Sequence, residues 1–398
     1  MAGSVTVVYA GERPPESWDA SVFLAGPTPR SADVASWRPA ALDLVHGLWS
    51  GAGALVVFVP EPRDGSRWGD YEDQRLWELR WLRVADQVVF WVPRDLATLP
   101  GLTTNDEWGW LKDSGRAVFG SPEDAAKVRY QREYAADHGV PLADTLADTL
   151  RVALERVGAG EWRTGGERDV PLVVWTTPVF RYWYAAQRAV GNTLVGARVV
   201  WTFRADGGAT VVWWAVHVAV AVAAEGGRVK DNEVVIGRPD TSAVLLYRRA
   251  SPLRDTVVVL VREFRSPACS DDGFVHELPG GSADFGRQDG PDATASAEVR
   301  EETGLALAAE RLRGHGVRQV AATVSAHRTH VYSAELTEDE VAALRADAAE
   351  ARAHGVGGTE RTHVEVTTYG GLLAAPTADW ATIGMVARVL ADLDDHAG

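Results

Sequence analysis

In the stretch Ala297-Glu298-Val299-Arg300-Glu301-Glu302-Thr303-Gly304-Leu305, three carboxylates stand at i, i+3 and i+4. On an α-helix that spacing crowds Glu298, Glu301 and Glu302 onto one face. Like charges so placed repel unless something positive sits among them, and a hard divalent cation bound through oxygen gives the arrangement a use. Mg²⁺ shared with a diphosphate is the simplest such ion, with Mn²⁺ as its substitute. An isolated Glu-Glu pair would read more simply as a solvated helix end. Here the helix is approached through His276-Glu277-Leu278-Pro279-Gly280-Gly281 and stopped by Thr303-Gly304-Leu305, so the carboxylates belong to a larger pattern.

The elements that must position chemistry differ between the two parts of the chain. Four segments of the first part are short β-branched or aromatic runs closed by Gly or Pro: Val22 to Leu24, Leu55 to Val59, Gln87 to Val92 and Ala117 to Phe119. Between them lie helical patterns, notably Tyr71 to Val84, and a further helix is expected from Leu142 to Val157. Alternating strands and helices predict an α/β fold with a doubly wound parallel sheet, flavodoxin- or Rossmann-like, whose post-strand loops converge on one crevice. The Gly-rich polar stretch Gly158 to Asp169 has no apolar period and marks a boundary, giving domains 1–158 and 170–398. Beyond it strands dominate before helices appear, among them Val199 to Phe203, Val211 to Ala223, Val244 to Tyr247 and Thr256 to Val261, which suggests an α+β domain.

The C-terminal pattern resembles the Nudix box, Gly-x5-Glu-x7-Arg-Glu-U-x-Glu-Glu-x-Gly-U with U aliphatic, and the similarity covers about 170–398. It departs from the box at Ala297, where Arg is usual. Six residues after Gly281 stands Arg287 rather than Glu, while counting back from the glutamates lands on Asp289. A two-residue insertion between Phe285 and Pro291 explains both counts. The resemblance implies that Glu298, Glu301 and Glu302 bind the metal, which neutralises diphosphate oxygens and activates the attacking water. It also offers Glu360, in Gly357-Gly358-Thr359-Glu360-Arg361, as general base. Val257 to Arg265 looks like the ADP-ribose and nucleotide-sugar branch, in which preceding strands build a homodimer.

In the first part, Phe23-Leu24-Ala25-Gly26-Pro27-Thr28-Pro29-Arg30, Ala85-Asp86-Gln87-Val88-Val89-Phe90-Trp91-Val92-Pro93-Arg94 and Thr103-Thr104-Asn105-Asp106-Glu107-Trp108-Gly109 follow one another at predicted strand ends. Together they resemble the nucleoside 2-deoxyribosyltransferase-like family over residues 5 to 150. Breaking an N-glycosidic bond passes through an oxocarbenium-like state, served by one ionised carboxylate beneath the sugar carbon and one protonated carboxyl beside the base. The resemblance makes Glu107 the nucleophile or charge stabiliser and Asp86 the group that binds or protonates the base. It is also the reason for preferring Asp86 to Glu78, which shares a helix face with Gln74. Gly26 would let the backbone approach a ligand or serve as a turn. Asn105 would hold sugar hydroxyls or cap a helix, and Arg30 and Arg94 would hold a 5'-phosphate. Asn105-Asp106 stands where Gly-Thr commonly precedes the glutamate.

Composition sets the partners. A net charge of -15 opposes the basic surface that nucleic-acid polymers or anionic membranes require but still allows a small phosphorylated ligand, and the two resemblances imply nucleosides and nucleotides as substrates. The single cysteine, Cys269, excludes an internal disulfide and, with an N-terminus unlike a secretory signal, points to the cytoplasm. Two chemistries on one chain suggest a route: the C-terminal site splits a nucleoside diphosphate derivative to a monophosphate, and the N-terminal site releases the base. The competing reading is an N-terminal glycosidase regulated by a Nudix domain that binds nucleotide without cutting it.

Overall fold

Strands of a parallel sheet covered on both faces are largely apolar along their length, and the central runs of the first part are so, with Ser21 and Gln87 as buried polar residues near their starts. In the computed structural model, which describes residues 3–31, 33–64, 70–205, 210–282, 290–355 and 360–395, they form β1 (Val5–Tyr9), β2 (Ala20–Ala25), β3 (Leu55–Val59), β4 (Gln87–Trp91), β5 (Ala117–Gly120) and β6 (Leu142–Ala143). Every residue of β2 to β5 is buried. The six strands pair in parallel in the order β1-β3-β2-β4-β5-β6. The order reverses at β2, which has β3 on one side and β4 on the other. Ligand crevices form at such a switch point, outside the carboxyl ends of the strands.

The helices are α1 (Arg38–Leu48), α2 (Tyr71–Val84), α3 (Leu102–Leu111), α4 (Arg129–Asp137) and α5 (Leu146–Val157). One face of the sheet presents Phe23, Phe58, Phe90 and Phe119 to Leu82 of α2, Trp108 and Leu111 of α3 and Ala135 of α4. Helix α2 starts where Asp70 accepts the backbone N–H groups of Glu72 and Asp73. The helix expected from Leu142 begins only at Leu146, because Thr145 caps it and Leu142–Ala143 joins the sheet edge.

The stretch Gly158 to Asp169 is ordered. Arg163–Thr164 pairs with Ser17–Trp18, and Thr164 and Glu167 form a capping box. The chain continues through α6 (Pro178–Ala189) into a three-stranded antiparallel sheet of β7 (Thr193–Ala205), β8 (Thr210–Val222) and β9 (Arg228–Gly237). The apolar run from Val211 is thus a strand, and no helix among the described residues is long and apolar enough to cross a membrane. By tertiary contacts the chain divides into two units at Gly237/Arg238, so residues 170–237, grouped with the second domain by sequence texture, fall in the first unit.

The second unit carries β10 (Thr241–Arg248), β11 (Val257–Glu263), β12 (Val275–Glu277), β13 (Gly280–Ser282), α7 (Pro291–Thr303), β14 (Arg313–Arg318), β15 (Thr329–Glu335), α8 (Glu338–Ala349), β16 (Ala353–His354), β17 (Thr362–Thr368), α9 (Tyr369–Ala374) and α10 (Trp380–Asp395). Its mixed sheet runs β14-β15-β10-β11-β17-β16, with β12 on β11 and β13 on β10. Ala295 and Val299 of α7 pack on one face with Val244, Leu246 and Val259, whereas Val386, Val389 and Leu390 of α10 pack on the other with Leu245, Val258 and Leu260. The architecture is mixed α/β throughout, a parallel doubly wound layer followed by a mixed sheet between helices.

Candidate functional sites

At the switch point the chain leaves β2 through Gly26, whose φ of +148° is a conformation that disfavours other residues. A Cβ there would lie 2.2 Å from the Trp91 carbonyl oxygen, so glycine lets the loops after β2 and β4 touch. Arg38, fully buried at the start of α1, fixes this loop. Its guanidinium donates to the carbonyls of Leu24 (3.1 Å) and Gly26 (2.8 Å) and to Thr28 Oγ1 (3.1 Å), and it pairs with Glu61 beyond β3. Burying a guanidinium is costly unless its donors are met, and here four oxygens meet them.

Two carboxyls lie in the field of this cation. Glu107, half-buried on α3, is pushed up to about 8 by burial and by the charge of Glu78, with Arg38 opposing. Glu78, half-buried on α2, is also raised by burial, against a hydrogen bond from Gln74 Nε2 at 2.8 Å and the pull of Arg38. Burial favours the protonated form of each carboxyl, and the charge of Glu78 adds to this at Glu107, while Arg38 favours ionisation of both. The arrangement can offer an acid and an anion at once.

Asp86 does not join them. It precedes β4, at the opposite end of that strand from the Trp91 side of the crevice, and is only 1% exposed. Its oxygens are taken up by Arg163 (2.8 and 2.6 Å), the Ser21 amide and hydroxyl (both 2.8 Å) and the Leu172 amide (2.7 Å). Asp86 and Arg163 form a buried ionic staple, and both Asp86 oxygens are engaged within the chain. Arg94 is buried too, giving one hydrogen bond to Asn105 Oδ1 (2.5 Å) and another to the Lys127 carbonyl (3.1 Å). Arg94 and Asn105 thereby anchor α3, two residues before Glu107. Arg30 is exposed, its backbone N–H held by the Thr98 carbonyl at 3.3 Å.

In the second unit, α7 begins at Pro291 and ends on Gly304 in the left-handed conformation. Glu302 is buried, accepts the Gly280 N–H at 2.8 Å, and is pushed up to about 9, chiefly by burial and then by Glu298, Glu277 and Glu263. Glu277 and Glu263 are likewise raised by burial, with Arg265 opposing in both cases. Gly281 brings its backbone against the Glu298 carboxylate, where a Cβ would meet Oε1 at 2.4 Å. Glu301 is not among the charges acting on Glu302; its carbonyl accepts the Gly355 N–H at 3.0 Å. Glu360 is exposed, and its charge raises Glu263. Arg287 and Asp289 lie outside the described residues.

Oxygen donors gathered around a buried, like-charged helix face fit a hard divalent cation by chemistry. By spacing they are not drawn together: among the described residues no three His, Cys, Asp or Glu side chains form a metal-holding group. Glu298 and Glu302 are the residues that would hold such an ion, with Glu277 alongside.

No family model matches the chain, and no curated protein matches it.

Sequence reasoning assigned no role to Arg38, Glu61, Glu263 or Glu277. Arg38-Pro39 opens a helix just after the Gly26-Pro27 turn, and a cation there, beside strand-end carbonyls, was the available signal. Glu277 and Glu263 sit on adjacent strands in register, Glu263 opposite Val275 and Glu277 opposite Val261. That adjacency needs the strand pairing to be known.

Proposed function

We propose that the chain is a nucleotide-processing enzyme whose first unit breaks N-glycosidic bonds and whose second hydrolyses a nucleoside diphosphate derivative. The observation that carries the reading is that Glu78 and Glu107 are both raised by burial and both feel the charge of Arg38, which is buried against the loop after β2. As the C1'–N bond breaks, the protonated carboxyl delivers its proton to the departing base. The ionised one faces the positive charge growing at C1'. Water then bonds to C1' and gives its proton to the ionised carboxylate, restoring the pair. Glu78 takes the part that the resemblance offered to Asp86.

In the second unit, Glu298 and Glu302, with Glu277 alongside and Glu301 on the same helix, would supply oxygen ligands for Mg²⁺ or Mn²⁺, and Glu360 is the candidate base. The bound cation supplies charge neutralisation of a diphosphate and a water of lowered pKa. Glu302 is oriented for this by the Gly280 N–H, and Glu298 by its packing against Gly281. A second reading, in which this unit senses nucleotide without cutting it, is favoured by Ala297 and by the lack of a three-carboxylate metal group among the described residues.

The reading extends to a homodimer, supported by the exposed apolar side chains Val195, Val200, Trp201 and Phe203 on β7.

The test incubates purified protein with nucleosides, 5'-monophosphates and ADP-ribose-like compounds, with and without Mg²⁺, and identifies products by mass. Free base that vanishes in both Glu107→Gln and Glu78→Gln, and Mg²⁺-dependent monophosphate that vanishes in Glu302→Gln, is the expected outcome. Absence of free base from every substrate would remove the glycosidase. Metal-independent nucleotide binding without product, seen by calorimetry, would leave the second unit as a sensor.

A further inference from the structure

A second recess in the second unit lies on the α10 face of the sheet, opposite the face that packs α7. Its volume is about 210 Å³, and His315, Arg318, Thr329, Trp380, Gly384 and Arg388 are among its lining residues. None of the described lining residues is acidic, although the chain carries a net charge of -15. Arg318 and Arg388 bring guanidinium groups to this concave surface, the charge of Arg388 partly offset by Asp392, and cations so placed attract anions.

The recess is built by an irregularity in β14. In a regular strand His315 and Arg318, three apart, would point to opposite faces. The pairing of β14 with β15 shifts between Gly314 and Val317, and Gly316 takes a φ of +94°. Such a bulge inserts a residue and re-aims the side chains beyond it. Arg318 is thereby set opposite Thr329, while His315 holds Ser333 Oγ (2.8 Å) and Asp392 of α10 (3.2 Å) on the same side. Asp392 also holds Arg388 at 2.8 Å, fixing that guanidinium at the rim.

Two further features keep the recess open and give it a flat wall. Gly384 lies inside α10, where glycine is a poor helix former, yet a Cβ there would meet nothing within 4 Å. Packing within the chain does not require glycine at this position, and a larger side chain would occupy the recess. Trp380, at the first turn of α10, is 87% exposed, an unusual state for a large aromatic that could otherwise be covered.

We infer that this recess binds a small organic anion bearing a planar ring, a phosphorylated aromatic compound being the matching chemistry, with Arg318 and Arg388 on the anion and Trp380 on the ring. The inference is independent of the reaction assigned to either carboxylate cluster. Because the recess and α7 occupy opposite faces of one sheet, such a ligand leaves the carboxylate site vacant.

The probe is phenyl phosphate, titrated calorimetrically into the full chain in EDTA, with inorganic phosphate in parallel. Saturable binding of phenyl phosphate is expected, at least ten-fold weaker in Arg318→Ala and in Trp380→Ala, abolished in Gly384→Leu, and unchanged in Glu107→Gln and Glu302→Gln. Thermal melting of Gly384→Leu at or above the wild-type temperature confirms that loss of binding is not loss of fold. No saturable binding to the wild type, binding equal in Gly384→Leu and wild type, or loss confined to Glu107→Gln would each overturn the assignment. Phosphate binding as tightly as phenyl phosphate would overturn the role of Trp380.

Discussion

Replacing Asp86 by Asn separates a structural carboxylate from a catalytic one. The side chain keeps its shape but loses its charge, so Arg163, with no exposed surface, faces a neutral amide in a site that also holds the Ser21 and Leu172 amides. Removing one partner of a buried ion pair costs about 3–5 kcal/mol, because the remaining charge is left without compensation. For a cooperative unit of this size, 1 kcal/mol moves the melting temperature by roughly 2–4 °C, so the first unit should melt about 6–20 °C lower. Differential scanning calorimetry of the full chain reads this directly. Replacing Asp86 and Arg163 together by apolar residues of similar volume should recover much of the loss. The reasoning fails if Asp86→Asn melts within 2 °C of wild type while base release falls a hundred-fold or more. Asp86 would then belong to the chemistry, as the resemblance implied.

Other expectations follow from the same structure. Base release should fall as pH rises through about 8, where the proton held by Glu107 is lost, and in Glu78→Gln any residual activity should fall at lower pH, because the like charge is gone. Glu302 is held near 9 against an ordinary 4.5, so the native state keeps a proton that the unfolded chain releases. In EDTA the second unit should therefore lose on the order of a few kcal/mol as pH rises from 4.5 towards 9, and Glu302→Gln should flatten that slope in urea titrations. Adding Mg²⁺ at a hundred times its dissociation constant should stabilise wild type by about 2.7 kcal/mol and Glu302→Gln by much less; equal shifts would count against this metal site. Paired Trp201→Asp and Phe203→Asp changes should convert a dimer to a monomer in sedimentation without changing the circular dichroism.

What could be read in advance, and what could not, follows from the range of the forces involved. Val22 to Leu24, Leu55 to Val59, Gln87 to Val92 and Ala117 to Phe119 were legible as strands because burial on both faces leaves runs that are apolar but for Gln87 at one end. Val5–Tyr9 lies at the sheet edge, and Leu142–Ala143 is too short to outvote the helix beginning three residues later. Glu107 and Glu302 could be singled out as candidates because helical spacing and loop position are local. The burial of Asp86 against Arg163 could not be read because that partner is 77 residues away and sits in a stretch whose glycines read as a linker. Arg38 was hidden for another reason: three of its four oxygen partners are main-chain carbonyls or a hydroxyl at the end of β2 and in the irregular loop after it, whose path periodicity does not reveal.

The tie between Asp86 and Arg163 also decides where this chain can be cut. A fragment stopped at residue 158, where the glycines invite a stop codon, would expose the neck of the parallel sheet and strand an anion inside it. One carried on to Gly237 retains the guanidinium, the Leu172 amide and the antiparallel ribbon that follows. Whoever wishes to crystallise or assay the first unit in isolation should carry those 79 further residues with it.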